Sequence, residues 1–211
     1  MSQRFLLQSS LLRTLKRSSG VALWLEVNSP VVLVEHSYGG AVITAAGAAD
    51  PNVKALVYIA AMAPDDGETV GEVLHRTAPH PTAPALVPDE DGFLWTSAKG
   101  FADTVAHESS ANNALLMATT QKPIAIKCKQ EQMTQPAWKE KPSWFLVAKR
   151  DRMIAPETQE FMAHRTRGHI VAVEVDHTPL ASAPDQVVAV IAQAVDAVAH
   201  ETLLDPQAIG R

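Results

Sequence analysis

The sequence has little of what marks several large classes of protein. It contains one cysteine, Cys128, among 211 residues, which excludes an intrachain disulfide and a cysteine-rich metal cluster. The formal net charge is −5 and the basic residues are scattered, so the composition argues against a nucleic-acid partner. No apolar run reaches the length of a membrane span. We therefore expect a cytoplasmic protein that has no membrane partner.

The sequence also lacks the patterns of common cofactor sites. There is no glycine-rich phosphate loop of the dinucleotide-binding type. His75 and His80 flank a proline-containing loop, but they have neither helical spacing nor carboxylate companions suited to a metal. We expect neither a cofactor nor a metal, and assign these histidines no chemistry.

The stretch Val31–Gly40 reads Val-Val-Leu-Val-Glu-His-Ser-Tyr-Gly-Gly, and it is the most informative part of the chain. Four apolar residues predict a buried strand, and the alanine-rich run that follows Gly40 favours a helix. A serine in a tight turn between a strand and a helix is the layout of a nucleophile elbow. Ser37 is therefore the candidate nucleophile. The alternative is that Ser37 only caps the helix.

Four segments together resemble the α/β-hydrolase superfamily, and more narrowly the small bacterial hydrolases that are salicylate- or methyl-esterase-like. The resemblance spans about residues 29 to 199. It implies a partial α/β-hydrolase fold, in which a mostly parallel sheet has flanking helices and a helical cap insertion. The four segments are Val31–Gly47, Leu56–Asp66, Pro142–Arg165 and Val173–Asp185.

Apolar runs predict further elements within a single domain of residues 1–211. Long insertions between strands of a compact sheet are usually functional, so we expect residues of about 66–137 to form a cap that supplies the walls of a mostly apolar pocket. The predicted strands after the first are 54–61, 143–148 and 169–175, and the predicted helices are 41–49, 100–121, 156–166 and 183–200.

Ser37, Asp151 and His177 each follow a predicted strand, so all three are expected at one rim of a parallel sheet. Their order along the chain, serine then acid then histidine, is that of the α/β-hydrolase triad. The resemblance matches Asp151 to the family acid and His177 to the family histidine. The alternatives are that Asp151 is a surface charge beside Arg150 and Arg152, and that His177 is an ordinary loop histidine.

Three other acids compete with Asp151 for the role of triad acid. Asp65, Asp66 and Glu68 follow the second predicted strand, where some hydrolases place the acid, but the resemblance favours Asp151. His36 stands where this fold commonly has a histidine, and we expect its side chain to point away from the serine in a structural role.

Two features depart from the family pattern. Glu35 replaces the first glycine of the elbow motif, and a carboxylate near His177 would raise the pKa of that histidine. No His-Gly pair occurs in the sequence, although this superfamily takes half of its oxyanion hole from a His-Gly-containing loop. The backbone N–H of Tyr38 remains as one oxyanion donor.

These residues predict a serine hydrolase whose substrate is a small carboxylic ester. A second hypothesis is an N-terminally truncated homologue, weakly active or non-catalytic, that binds a ligand or a partner. A third is hydroxynitrile-lyase or cofactor-free oxidative chemistry on the same triad. Only residues 1–30 precede the nucleophile strand, where the family has several strands and helices.

Two segments of the N-terminal region, residues 1–20 and Val21–Val27, each allow two structural interpretations. Residues 1–20 have the composition of a transit peptide, but leucines at helical spacing favour an amphipathic helix. Val21–Val27 has strand-like length, and we predict that it pairs antiparallel with the nucleophile strand through a short hairpin. The family instead has a helix there. If Val21–Val27 is helical, the open sheet edge predicts self-association.

Overall fold

A computed structural model describes residues 30–83, 86 and 88–204, with side chains as far as residue 200. A four-stranded parallel sheet forms its centre, with the strand order β1-β2-β5-β6. The four strands are β1 (Val31–His36), β2 (Val53–Ile59), β5 (Ser143–Ala148) and β6 (His169–Val173). The prediction of a mostly parallel sheet is confirmed.

Both faces of the sheet are covered by helices, which explains why β2 reads as a continuous apolar run. Leu56 and Tyr58 of β2 pack in one core cluster with residues of α1 (Gly39–Ala46) and α6 (Pro156–Arg165). The alternate residues of β2 face the other way and pack against α8 (Pro184–Leu204), which follows the short helix α7 (Pro179–Ser182). Side chains of a strand alternate between its faces, so every residue of β2 beyond Lys54 is buried.

The predicted boundaries hold to within a few residues for most elements of the sheet layer. The strand at 143–148 is confirmed without change, and the helix expected at 156–166 is α6. The fourth strand ends at Val173 rather than Val175. There the N–H of Val175 donates back to the carbonyl of Val173 at 2.9 Å, and this tight turn ends the strand pairing.

The cap lies between the neighbouring strands β2 and β5, and it is made of short elements. The prediction of one helix over 100–121 is wrong, because residues 106–110 interrupt it. Ser110 caps the next helix by accepting from the N–H of Asn113, a role that serine favours over the helix interior. The cap elements are α2 (Val70–Leu74), β3 (Phe93–Leu94), α3 (Ala98–Gly100), a π-helix (Phe101–Val105), α4 (Ala111–Thr120), β4 (Ile124–Ala125), α5 (Ile126–Gln130) and a 3₁₀ helix (Ala137–Lys139).

The sheet edge at β1 adjoins the part of the chain that is not described. Within the described residues β1 pairs with β2 alone. The predictions for residues 1–20 and for Val21–Val27 fall outside the described residues. In the described part of the chain, no helix is both long enough and apolar enough to cross a membrane.

Candidate active site

Ser37 stands in the turn between β1 and α1, in a backbone conformation that few side chains adopt. Its φ is +54°, in the left-handed region that is disfavoured for residues other than glycine. The turn is nevertheless well fixed: the N–H of Ser37 donates to the carbonyl of Ile59 at 3.3 Å, and the carbonyl of Ser37 accepts from Met62 at 3.0 Å and Gly40 at 3.1 Å. Such strain is typical of functional sites.

Gly40 lets the first turn of α1 lie directly on the end of β2. A Cβ atom at this position would collide with the carbonyl oxygen of Met62 and lie 2.8 Å from the Cβ of Ala61. Since Met62 also donates to Ser37, the glycine and the serine are held by the same piece of backbone. The absence of a side chain at Gly40 therefore permits this close approach.

Three side chains, those of Ser37, His177 and Asp151, form a continuous hydrogen-bonded chain at the carboxyl ends of the parallel strands. His177 Nε2 lies 2.8 Å from Ser37 Oγ, and His177 Nδ1 lies 2.6 Å from Asp151 Oδ2. Both His177 and Asp151 are 3% exposed. Because the carboxylate accepts from Nδ1–H, Nε2 is left to accept the serine proton.

The carboxylate of Asp151 is fixed by donors on both of its oxygens. Oδ1 accepts from the N–H groups of Met153 at 2.7 Å and Ile154 at 3.0 Å. Oδ2 accepts from Gln159 Nε2 at 2.7 Å. The same Nε2 also donates to the carbonyl of Ile154, and Gln159 Oε1 accepts from the N–H of Ala148. Gln159 is 1% exposed and was not singled out by the sequence. The sequence holds no signal for this role, because the burial of Gln159 on α6 is visible only in the structure.

His36 supports the loop that carries His177. Its Nε2 donates to the carbonyl of His177 at 2.6 Å, and the two ring centroids are 4.7 Å apart. Burial, followed by the proximity of His177, lowers the pKa of His36 to about 4. His36 is therefore neutral at pH 7 and carries its proton on the nitrogen that faces the carbonyl, so its place in the structure fits the predicted structural role.

Glu35 directs its carboxyl group over the first residue of α1. A Cβ atom at Gly39 would collide with Glu35 Oε2, so the bulk of one residue is accommodated by the absence of a side chain at the other. Burial raises the pKa of Glu35, and a hydrogen bond from the N–H of His36 partly opposes that shift. Its influence on His177 stays a prediction.

The three competing acids lie at the base of the cap and have partners of their own. Asp65 pairs with Lys139 at 2.6 Å, and Glu68 pairs with Arg165 at 2.6 Å. Asp66 accepts from the N–H of Gln135 at 3.1 Å. The structure therefore brings Asp151, rather than any of these acids, to His177.

His75 and His80, to which the sequence assigns no chemistry, make local contacts in the cap. Nδ1 of His75 lies 2.7 Å from the carbonyl oxygen of Gly71, and Nδ1 of His80 lies 2.8 Å from Oγ1 of Thr82. Across the described ranges, no cluster of three or more histidine, cysteine or acidic side chains could hold a metal ion.

Tyr38 connects the elbow with the cap. Burial, followed by the neighbouring buried thiol of Cys128 on α5, raises the pKa of Tyr38. Its backbone N–H, directly after Ser37, donates to no acceptor within the described residues. This N–H is in the position from which an oxyanion donor acts in this kind of turn.

A small cavity of about 120 Å³ opens at Ser37. Both the cap and the sheet layer supply its walls, as the sequence predicts, and most of the lining is apolar. The lining residues are Ser37, Tyr38, Met62, Val70, Leu74, Leu86, Leu94, Thr96, Gln121, Lys122, Ile124, Lys129, Met153 and Ile154.

Comparison with known proteins finds one family and a set of similar folds. The profile described as "Alpha/beta hydrolase family" matches residues 7–190, so it begins well before the resemblance that the sequence motifs delimit. No curated protein matches this sequence.

Solved structures share the fold at low sequence identity. A pyrethroid hydrolase from Sphingobium faniae JZ-2 is 19% identical, with a TM-score of 0.67 over 86% of this chain and 76% of its own. An extracellular α/β-hydrolase from a Paenibacillus species is 18% identical, with a TM-score of 0.66 over 83% and 76%. A methylesterase from Arabidopsis is 18% identical, with a TM-score of 0.66 over 84% and 75%.

Proposed function

Since the chain belongs to the α/β-hydrolase family, we propose that it is a serine hydrolase that cleaves a small carboxylic ester. The observation that carries the proposal is the hydrogen-bonded chain from Ser37 Oγ through His177 to Asp151, with distances of 2.8 and 2.6 Å. A serine hydroxyl is a weak nucleophile at neutral pH and needs such a base, and the base needs a third group to orient it.

Each side chain has a defined part in the proposed reaction. Ser37 Oγ attacks the ester carbonyl while its proton passes to His177 Nε2. Asp151 keeps Nδ1 protonated and stabilises the imidazolium that results. The imidazolium then gives its proton to the departing alcohol, which leaves an acyl group on Ser37. Water, deprotonated by His177, hydrolyses this acyl-enzyme and restores the serine.

The N–H of Tyr38 is the proposed donor to the oxyanion of the tetrahedral intermediate. Removal of one such donor costs about 10²–10³ in kcat in serine hydrolases. Because the sequence has no His-Gly pair to supply the second donor, we expect modest turnover compared with hydrolases that have a complete oxyanion hole.

The cavity supports an uncharged, compact group beside the reacting carbonyl. A space of about 120 Å³ with a mostly apolar lining, in which methionine, leucine, isoleucine and valine side chains outnumber polar ones such as Lys122 and Lys129, favours a small, largely apolar acyl or alcohol part. The names of the similar structures, a methylesterase and a pyrethroid hydrolase, support ester hydrolysis as the reaction class.

Labelling with a fluorophosphonate probe tests the nucleophile directly. Wild-type protein should react, Ser37→Ala should not, and His177→Ala should react slower by about three orders of magnitude or more. Ser110→Ala, which changes a serine that only caps α4, is the matched control and should label like wild type. Hydrolysis of p-nitrophenyl acetate should follow the same order.

Equal labelling of the wild-type and Ser37→Ala proteins would overturn the mechanism. The remaining hypothesis would then be a homologue that binds a ligand without turning it over. Equilibrium binding of small apolar esters to both proteins would test that hypothesis.

A further inference from the structure

Asp176, the residue before His177, is a buried carboxylate whose two oxygens serve two different parts of the molecule. It is 0% exposed. Oδ1 accepts from the N–H of Thr178 at 3.0 Å, from Thr178 Oγ1 at 2.8 Å and from Ser182 Oγ at 3.1 Å. These three bonds close the turn that follows His177.

The second oxygen of Asp176 reaches outside this turn. Oδ2 accepts from the backbone N–H of Glu108 at 3.0 Å, and Glu108 belongs to the cap, 68 residues earlier in the chain. Burial alone would raise the pKa of Asp176, but the hydrogen bonds from Glu108, Thr178 and Ser182 outweigh it and lower that pKa. The carboxylate is thus charged at neutral pH and can accept from all four donors.

The residues that flank Asp151 hold the same stretch of the cap. Arg152 Nη1 donates to the carbonyl of Asp103 at 2.8 Å, and Arg150 Nη1 pairs with Glu108 Oε1 at 2.9 Å. We call residues 103–108 the strap. The strap begins within the π-helix Phe101–Val105, a distortion that is frequent at functional sites.

The loops that carry Asp151 and His177 are also joined to each other. The N–H of Arg150 donates to the carbonyl of Val175 at 3.0 Å, and its guanidinium donates to the carbonyl of Glu174. The immediate neighbours of both Asp151 and His177 therefore contact the strap. A displacement of the strap would reach His177 through Asp176.

We infer that Asp176 is a positioning residue that couples the strap of the cap to His177, and this inference rests on the proposed function. When the strap occupies its place, Glu108 fixes one oxygen of Asp176 while the other oxygen fixes the turn, and the imidazole is held in line with Ser37. Alignment of this kind matters because a displacement of about 1 Å can lower a rate about 10²-fold.

Asp176→Asn separates this coupling role from simple support of the turn. The amide oxygen can still accept from Thr178 and Ser182, but the amide NH₂ then faces the N–H of Glu108, and two donors cannot bond. We expect kcat and the rate of fluorophosphonate labelling to fall about 10- to 50-fold, with KM within about twofold, and amide exchange at Glu108 to rise at least about tenfold.

Asp66→Asn is the matched control. Asp66 is an exposed carboxylate that also accepts from a backbone N–H of the cap, that of Gln135, and it lies away from His177. This variant should label like wild type.

The outcomes separate the inference from the proposed function. No labelling of the wild-type protein would defeat the proposed function. A labelled wild type together with an Asp176→Asn variant that labels equally fast would overturn the inference alone, because support of the turn needs only the acceptors that asparagine keeps. If Asp176→Asn does not fold, Arg152→Met releases the strap at Asp103: slower labelling at an unchanged Tm supports the coupling, and unchanged labelling overturns it.

Discussion

Two regions of the molecule are held together by polar side-chain contacts, which are buried in one region and partly exposed in the other, and the regions differ in what those contacts control. At the rim, around Ser37, the polar contacts converge on one imidazole, that of His177. At the hinge, which we define as residues 63–69 and 132–139 with Arg165, they converge on one guanidinium. The kinds of contact in the two regions are similar, but only the rim contains the proposed nucleophile, Ser37, and its proposed base, His177.

The hinge is built around Arg165. Its guanidinium makes two bonds to the carboxylate of Glu68, at 2.9 and 2.6 Å, and a third to the carbonyl of Ala63 at 2.6 Å. Its Cζ atom also lies 4.9 Å from the centroid of the Phe161 ring, as in a cation–π contact. These contacts close the base of the cap, where the chain leaves β2 and returns towards β5. They stabilise the fold without touching the triad, so we expect hinge and rim variants to separate stability from activity.

The largest effect is expected from Gly40→Ala at the rim. The added Cβ collides with the carbonyl of Met62, and rigid backbone cannot yield as a flexible side chain would. We expect a loss of about 3 kcal/mol in the free energy of unfolding and a fall in kcat of about 10². Urea denaturation and ester hydrolysis measure the two effects.

Gly67→Ala is the corresponding change at the hinge. Gly67 has a φ of +78° and no atom within 4 Å of its Cβ position, so alanine meets strain but no collision. It should cost about 1 kcal/mol of stability and leave kcat unchanged. A large loss of activity in this variant would remove the distinction between the two regions.

The next effect is expected from Arg165→Met, which leaves Glu68 and the carbonyl of Ala63 without their donor. The pair is partly exposed, so breaking it should cost between about 1 kcal/mol, as for a surface pair, and about 3 kcal/mol, as for a buried one. The kcat per folded molecule should stay within about twofold of wild type, because none of the contacts of Arg165 reaches His177. Thermal unfolding and active-site titration give the two quantities.

Lys139→Met is its control, since the pair between Lys139 and Asp65 is substantially exposed and should contribute at most about 1 kcal/mol. If both variants lost the same stability, the guanidinium would not be the centre of the hinge.

The smallest effect is expected from Glu35→Gln, and it depends on pH. Burial raises the pKa of Glu35 in the folded protein, so the folded state favours the protonated carboxyl. The contribution to stability is therefore present below the unfolded pKa and is lost as pH rises through the folded pKa. Glutamine does not ionise, so it stays neutral as the pH rises. The advantage of the variant in Tm should therefore grow between pH 4 and pH 7.

An advantage in Tm that is the same at both pH values would show that the gain comes from packing and not from the charge. An effect of Glu35→Gln on the pH–rate profile would be separate evidence that its carboxylate influences His177.

The sequence could predict those parts of the fold whose signal is local and continuous. β5 is apolar at nearly every position because both of its faces are buried, and its predicted bounds need no change. β3 and β4 have two residues each, which is too short for any periodicity to mark. The break between the π-helix and α4 was missed because its main signal is Ser110, which caps α4, and a single serine does not by itself mark the start of a new helix.

The site was predictable to the extent that its members share an order along the chain. Ser37, Asp151 and His177 follow β1, β5 and β6 in sequence, and the parallel sheet brings those three strand ends together. Contacts between distant segments gave no such signal. Nothing near Glu68 indicates a partner 97 residues later at Arg165, and nothing near Asp176 indicates Glu108.

The cap lies between two strands that pair with each other, and this placement affects how well the fold tolerates insertions and deletions in the cap. β2 and β5 are direct neighbours, with Leu56 opposite Ser143. The chain between them therefore forms one long loop whose two ends are held together by the pairing of these strands. The closure entropy of such a loop grows with the logarithm of its length, and each doubling costs only about 0.6 kcal/mol. Insertions and deletions in the cap therefore leave the strand register almost untouched. Outside the strap and the hinge, the cap residues that line the cavity at Ser37 can therefore change while the three strand ends that carry Ser37, Asp151 and His177 keep their places.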